Sequence, residues 1–206
     1  KLAKGLFKKS DLIFDKKDKI HSKPYIEGKN IKAFQIERIR YLEWNTERCP
    51  KLIARTTFPE LYIFPKIVKG RMTGAVYDEN GLISNDSTFI STFWQNLINV
   101  QNRSINNSVA KDFNVKGKTQ IAKKRKELNK ISQKFIIKYC LSILNSKFAK
   151  WFFTQVRRSA IGLYPDDIKQ LPIINITLSQ QKPFEIIVDK IITKKERGEN
   201  TTAEER

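Results

Sequence analysis

The sequence predicts an α+β (mixed α/β) fold, with a twisted, mostly antiparallel β-rich region followed by a helical region. Three observations carry this. Apolar residues make up 40 % of the 206 positions, enough to bury a core in a chain of this length. The first half carries short, β-rich apolar runs bounded by turn formers, such as LYIFPKIV and TGAVY. After Ser132 the apolar pattern takes up a helical period, with the same face recurring every three to four residues.

Taken in chain order, Ser10 is placed to cap a short helix over DLIFDKKDKI. Pro24 then opens an extended segment, PYIEGKNIKAFQIE, turned at Gly28. KLIAR (Lys51 to Arg55) and LYIFPKIV (Leu61 to Val68) read as strands. Pro65 places the second of these on an edge or at a bulge, since proline cannot donate to a ladder. Asn80-Gly81, between TGAVY and LISNDSTFISTF, predicts a hairpin because both residues tolerate positive φ. Residues 111–130 are polar and basic and read as a loop or connector, with a phosphate-contacting segment as the functional alternative.

Beyond that stretch, Phe135/Tyr139/Ile143 and Ile136/Cys140/Leu144 form a helical stripe that Asn145-Ser146 interrupts. Ser146 can cap a second helix, with Phe148, Phe152 and Val156 on one face. LYPDDIKQLPI leads into a last helix from about Ser179 or Gln181, where Phe184, Ile187, Val188 and Ile191 keep i, i+3, i+4, i+7 spacing until Gly198 ends it. The expected organisation is one domain: a β-rich region over 1–110, a basic connector over 111–130 and a helical region over 131–206. The first residue is Lys1 and the last residues are TTAEER, so a fragment of a longer protein is expected.

Charge bounds the partners. Lys and Arg number 40 against 21 Asp and Glu, a formal net charge of +19, which favours a polyanion through phosphate neutralisation. A merely solvated surface is the bland alternative. Cys49 and Cys140 lie far apart beside apolar neighbours and read as buried free thiols, which suits a reducing cytoplasm. No apolar run approaches the ~18 residues needed to span a bilayer, and no secretory h-region opens the chain, so no membrane partner is expected.

Catalytic chemistry is hard to assemble. His21 is the single histidine, which removes most hydrolytic constellations, and no Cys/His cluster has zinc spacing. KGKT (Lys116 to Thr119) copies the tail of a phosphate-binding loop, but the earlier glycine that loop needs falls at Asp112. Asp166 and Asp167 look like metal-binding carboxylates, yet consecutive side chains diverge, and Pro165 and Pro172 leave room for about one helical turn. Capping of that turn is the reading adopted. The expectation is no catalytic residue, no metal, no cofactor and no small-molecule substrate in this stretch of chain.

Recognition chemistry is left. Arginines, amides and hydroxyls cluster at strand ends and loops, where guanine, adenine and phosphate can be reached. Arg48, Arg55, Arg71, Thr73, Asn85 and Arg103 are the candidate base contacts, and Lys66, Lys69, Lys116 and Lys118 the candidate phosphate contacts.

Several stretches together resemble a known family. KPYIEGKNIKAFQI carries a Pro-aromatic-x-x-Gly-x-Asn-Ile pattern, and FPKIVKGRMTGAVYDENGLISNDSTFI a strand, a basic loop and a Tyr-Asp-x-x-Gly turn. YCLSILNSKFAKWFF has a Leu-Asn-Ser helix pair, and LYPDDIKQLPI followed by LSQQKPFEIIVDKII a Pro-bounded turn before a helix. In this order they resemble the TaqI-like C-terminal specificity domain of restriction-modification proteins, from about Pro24 to Lys195. The Lys-rich stretch Lys111 to Lys126 and the segment Arg55 to Leu61 depart from that pattern.

The resemblance implies a target-recognition domain that binds duplex DNA. It would read a short sequence and place an adenine for an N-terminal methyltransferase domain of the same bacterial, cytoplasmic protein. S-adenosylmethionine, and Mg²⁺ if the parent is also a restriction endonuclease, would belong to that parent and not to this domain. A protein-interaction module, or a nucleic-acid binder without sequence readout, is the alternative.

Overall fold

In the computed structural model, which describes residues 1–4, 10–44, 65–100, 103–157 and 162–205, short strands fill the first half and α-helices the second. The strands are β1 (Leu2–Lys4), β2 (Ile13–Phe14), β3 (His21–Ile26), β4 (Ile31–Lys32), β5 (Gln35–Ile36), β6 (Arg40–Glu43), β7 (Lys66–Gly70), β8 (Ala75–Asp78), β9 (Ile83–Ser84) and β10 (Thr88–Ser91). The helices are α1 (Arg103–Phe113), α2 (Lys118–Ser132), α3 (Ile137–Asn145), α4 (Lys147–Val156), α5 (Pro165–Lys169) and α6 (Leu178–Glu196). The fold is α+β, as the change of hydrophobic period at Ser132 leads one to expect.

One antiparallel sheet has the order β1-β10-β7-β8, and a second has the order β2-β6-β3-β9, in which only β3 and β9 run parallel. The strand β7 is apolar at Ile67 and Val68 and is buried along its whole length, which is why it occupies the interior of its sheet. Pro65 therefore marks neither an edge nor a bulge: it lies just before β7, where its missing N–H costs no ladder bond.

The turn expected at Asn80-Gly81 forms, but it does not make a hairpin. Gly81 has φ 77, and the Asp78 carboxylate accepts from Asn80 N at 2.8 Å and Leu82 N at 2.9 Å. These bonds bend the chain out of the first sheet, so that β9 pairs with β3 in the second. The hairpin lies one turn earlier, between β7 and β8, closed by Gly70 N donating to Gly74 O at 3.0 Å. Ser10 heads only a three-residue 3-10 turn, Ser10–Leu12, because Ile13 and Phe14 pair with Leu42 and Tyr41 instead of continuing a helix.

The connector expected over 111–130 is not a loop. It holds the end of α1 and most of α2, joined through a turn in which Asn114 and Gly117 take positive φ. Burial of Ile105, Val109 and Leu128 supplies the apolar anchors that the lysine content conceals. KLIAR, with Cys49, Arg48 and Arg55, lies outside the described residues.

The helical half follows its sequence closely. Ser146 Oγ accepts from Ala149 N at 3.1 Å and starts α4, and Thr177 with Gln180 forms a capping box that starts α6. In LYPDDIKQLPI, Asp167 is fully buried and its Oδ2 accepts from Tyr164 N at 2.7 Å, while Asp166 is exposed and lies 3.5 Å from Lys169 Nζ. The two carboxylates point to different surroundings, as capping requires. On α6, Val188 and Ile191 enter the core, whereas Phe184 and Ile187 are exposed.

The two halves meet in a core that joins Ile67 and Ala75 to Cys140 and Leu141 of α3 and to Val188 and Ile191 of α6, and in a second that joins Phe89 to Ala149 and Phe153 of α4. Cys140 is a buried free thiol, and burial pushes it up to about 12. At the edge of this core Asn145 Nδ2 donates to Ala75 O at 2.9 Å, and its Oδ1 accepts from Ala75 N at 2.8 Å. Asn145→Ala would strand the buried Ala75 N–H, at a cost of about 1–3 kcal/mol, while Ala75 O keeps Phe34 N as a donor at 3.0 Å. Urea unfolding is expected to show a loss of about 1–3 kcal/mol, and a loss near zero would show that this pair does not hold the halves together.

Candidate nucleic-acid interface

The β7–β8 turn, Arg71 to Gly74, is held from several sides. Thr73 Oγ1 donates to Gly28 O at 2.7 Å, Arg71 N to Ser87 O at 3.0 Å, and Leu163 N to Arg71 O at 3.4 Å. A Cβ on Gly74 would lie 2.2 Å from Ala33 N, so only glycine lets β4 and the turn approach this closely. These bonds put Arg71 and Thr73 beside the Asn85–Ser87 turn, where Asn85 Oδ1 accepts from Ser87 N at 3.2 Å.

Next to this turn is a cleft of about 610 Å³ between β4, the β7–β8 turn, α4 and the end of α6. Lys29, Lys32, Lys69, Arg71, Lys150, Arg157 and Lys195 line it, and among the described residues no acidic side chain does. Three of these charges are already matched: Lys29 pairs with Glu27 at 2.9 Å, Lys32 with Glu37, and Lys195 with Glu205 at 2.8 Å. Among the described residues Arg71, Lys150 and Arg157 form no ion pair, so they are the cations an incoming anion would meet first. Arg71 donates its Nε to Leu163 O at 3.2 Å, and its guanidinium lies 5.3 Å from the Tyr164 ring centroid. That leaves the two Nη groups of the fork available for bidentate recognition.

Of the residues expected to contact DNA, Lys69, Arg71 and Thr73 line this cleft, and Asn85 lies outside it in the adjoining Asn85–Ser87 turn. Arg103 heads α1, Lys116 lies in the α1–α2 turn and Lys118 heads α2; all three are exposed and none lines this cleft. Arg48 and Arg55 lie outside the described residues.

Lys66 requires a correction. It is fully buried and pairs at 2.5 Å with Asp78, itself 2 % exposed, so its ammonium cannot reach a phosphate without opening the core. Burial lowers its pKa more than Asp78 raises it. Lys69 is also buried, donating to Thr73 O at 2.6 Å and Gly70 O at 3.1 Å, so its first task is to shape the turn. The candidates drawn from the sequence do not include Lys29, Lys32, Lys150, Arg157 or Lys195. One signal was present: Lys150, Thr154 and Arg157 stand at i, i+4, i+7 and share a helix face.

Among the described residues no group of His, Cys, Asp or Glu side chains could hold a metal ion, and no helix is long and apolar enough to cross a membrane. His21 is committed to Asp18, its Nδ1 2.8 Å from Oδ2, with Phe14 stacked at 4.0 Å. KGKT follows a helix, not a strand, with Gly117 at φ 80 opening α2. No protein-family model matches the chain, and no curated protein matches it in sequence.

Lys69 gives the site a pH signature. Burial lowers its pKa from 10.5 to about 8. Between those values the unfolded chain binds the proton and the folded chain does not, so this group's contribution to stability rises with pH across pH 8 to 10.5. Below pH 8 both states carry the charge and the folded state bears the full cost of burying it. Relative to Lys69→Met, the wild type is expected to gain roughly 3 kcal/mol through that window in urea unfolding. Parallel pH curves for the two proteins would refute the assignment.

Proposed function

We propose that this chain is a sequence-reading, duplex DNA-binding domain that positions a target adenine for a methyltransferase domain of the same protein. The observation that carries this reading is the cleft beside the β7–β8 turn, lined among the described residues by seven cations and no acid. The net charge of +19 supplies the long-range attraction, and the unpaired Lys150 and Arg157 supply phosphate contacts along one helix face. On a turn braced at several points, Arg71 supplies donors for base edges and Thr73 Oγ1, whose proton goes to Gly28 O, an acceptor, with little entropy to lose. The likeness of the Leu-Asn-Ser helix pair and the Pro-bounded turn to TaqI-like specificity domains supports the methyltransferase partner. In that arrangement S-adenosylmethionine belongs to the partner domain, and Mg²⁺ belongs to a nuclease where the parent has one.

A protein-docking module is the second reading. It draws on the exposed apolar side chains Phe148, Trp151, Ile174, Ile186 and Ile187 of the helical half.

Binding to randomised duplexes over a salt series separates the readings. Arg71→Ala is expected to relax discrimination at one base pair by about 1–3 kcal/mol. The pair Lys150→Glu with Arg157→Glu should weaken all duplexes alike and flatten the salt dependence, each lost contact removing ~0.9 from the log–log slope. No duplex binding by the wild type, or binding without a salt slope, would favour the docking module. Turnover of DNA by this chain alone, with S-adenosylmethionine or Mg²⁺ added, would overturn the assignment of catalysis to another domain.

A further inference from the structure

A second basic groove lies away from the cleft, between the 3-10 helix Trp94–Leu97 and α2. It encloses about 700 Å³, and its lining includes Trp94, Ile98 and Ile121 with Lys118, Lys126 and Lys130, and among the described residues no acidic one. The three lysines are exposed and, among the described residues, form no ion pair. Helical rise places Lys126 and Lys130 about 12 Å and 18 Å along the axis from Lys118, a spacing that can follow several phosphates of one strand.

The groove is preformed. Arg125 ties its two walls together, donating to Leu97 O at 2.9 Å, Val100 O at 2.8 Å and Asn106 Oδ1 at 3.2 Å. Gln95 N donates to Ser132 Oγ at 3.0 Å, fixing the residue next to Trp94 against the end of α2. Asn129, on the same wall, carries a buried amide oxygen with no hydrogen-bond partner among the described residues.

We infer that this groove binds unpaired nucleotides of a single-stranded nucleic acid, with a base on the Trp94–Ile98 floor and its phosphates on Lys118, Lys126 and Lys130. An aromatic platform inside a cationic groove is the combination that holds single strands, because each unpaired base has a free face to stack. Duplex DNA stacks its bases on one another and offers that floor only phosphate and sugar. An acidic peptide would satisfy the lysines but leaves the indole platform without a matching flat face. The groove is distinct from the cleft at Arg71, and the inference does not rest on the duplex-reading assignment.

The test is fluorescence of Trp94 in a protein carrying Trp44→Phe and Trp151→Phe, with folding checked by circular dichroism. Titration with oligothymidylate and, separately, oligouridylate is expected to quench Trp94, and the stronger of the two names the strand type. Trp94→Ala should weaken anisotropy-detected binding about tenfold. Lys118→Glu, Lys126→Glu and Lys130→Glu together should lower the log–log salt slope by about 2. Four results would overturn the inference: no quench by either strand, full affinity in the triple variant, unchanged affinity in Trp94→Ala, or displacement of the oligonucleotide by polyglutamate at equal charge. Duplex binding keeps the two sites apart, since it should survive the pair Lys126→Glu with Lys130→Glu while depending on Lys150 and Arg157.

Discussion

The cleft depends on how the outer edge of β8 is closed. Ala75 is an edge residue with a peptide N–H and C=O facing away from β7, and leaving them bare inside the core would cost several kcal/mol. Asn145 meets both groups, and Phe34 N adds a second donor to Ala75 O at 3.0 Å. One amide thus docks α3 onto the sheet and ends α3 where Ser146 can cap α4. Phe34 takes φ 62, unusual for a residue with a side chain, and its burial together with that hydrogen bond sustains the conformation. The β4–β5 hairpin, the β7–β8 turn and the start of α4 are all located by this contact.

Around that frame the lysines divide by burial. Lys66 and Lys69 are neighbours on the same strand as the turn, yet both are enclosed, one by Asp78 and the other by carbonyls and the Phe153 ring 5.6 Å away. Enclosed charges are expensive and must be satisfied internally, so they hold structure and cannot be lent to a ligand. The exposed cations of α4 and α2 carry no such obligation. A polyanion replaces only water around them, which makes them the cheaper partners for phosphate. Helix faces thus supply Lys150 and the α2 lysines to the positive surface, while the hairpin turn beside the cleft carries hydrogen-bonding groups suited to base edges.

Local signals in the sequence specified a good deal. The stop at Asn145-Ser146, the start of the last helix at Thr177 to Gln181, its end at Gly198 and the capped turn at Pro165 are written in single residues whose chemistry acts over one turn. The α+β class followed from the change of hydrophobic period, since a period of two or of 3.6 is set by backbone geometry before any packing. Two local readings failed for a tertiary reason. Asn80-Gly81 turns the chain as its φ preference dictates, but whether the next strand returns to the same sheet depends on β3, a partner more than fifty residues away. Residues 111–130 looked like a connector because lysines dominate, yet Leu128 and the α1 anchors Ile105 and Val109 suffice for a helical pair.

The candidate site was legible only in part. Arg71, Thr73 and Asn85 could be picked out because they sit in turns, and turns present side chains outward wherever they fall. Lys66 could not be sorted from Lys69, nor either from Lys150, because all lysines look alike until burial is known, and burial is a property of the assembled core. By itself the sequence determined the element types, the caps and the excess of positive charge, each a consequence of short-range backbone chemistry or simple composition. Only the tertiary structure decided which cations face one cleft, which are locked inside and which strand follows which. Those outcomes rest on contacts between residues far apart in the chain, such as Asn145 with Ala75, that no local pattern encodes.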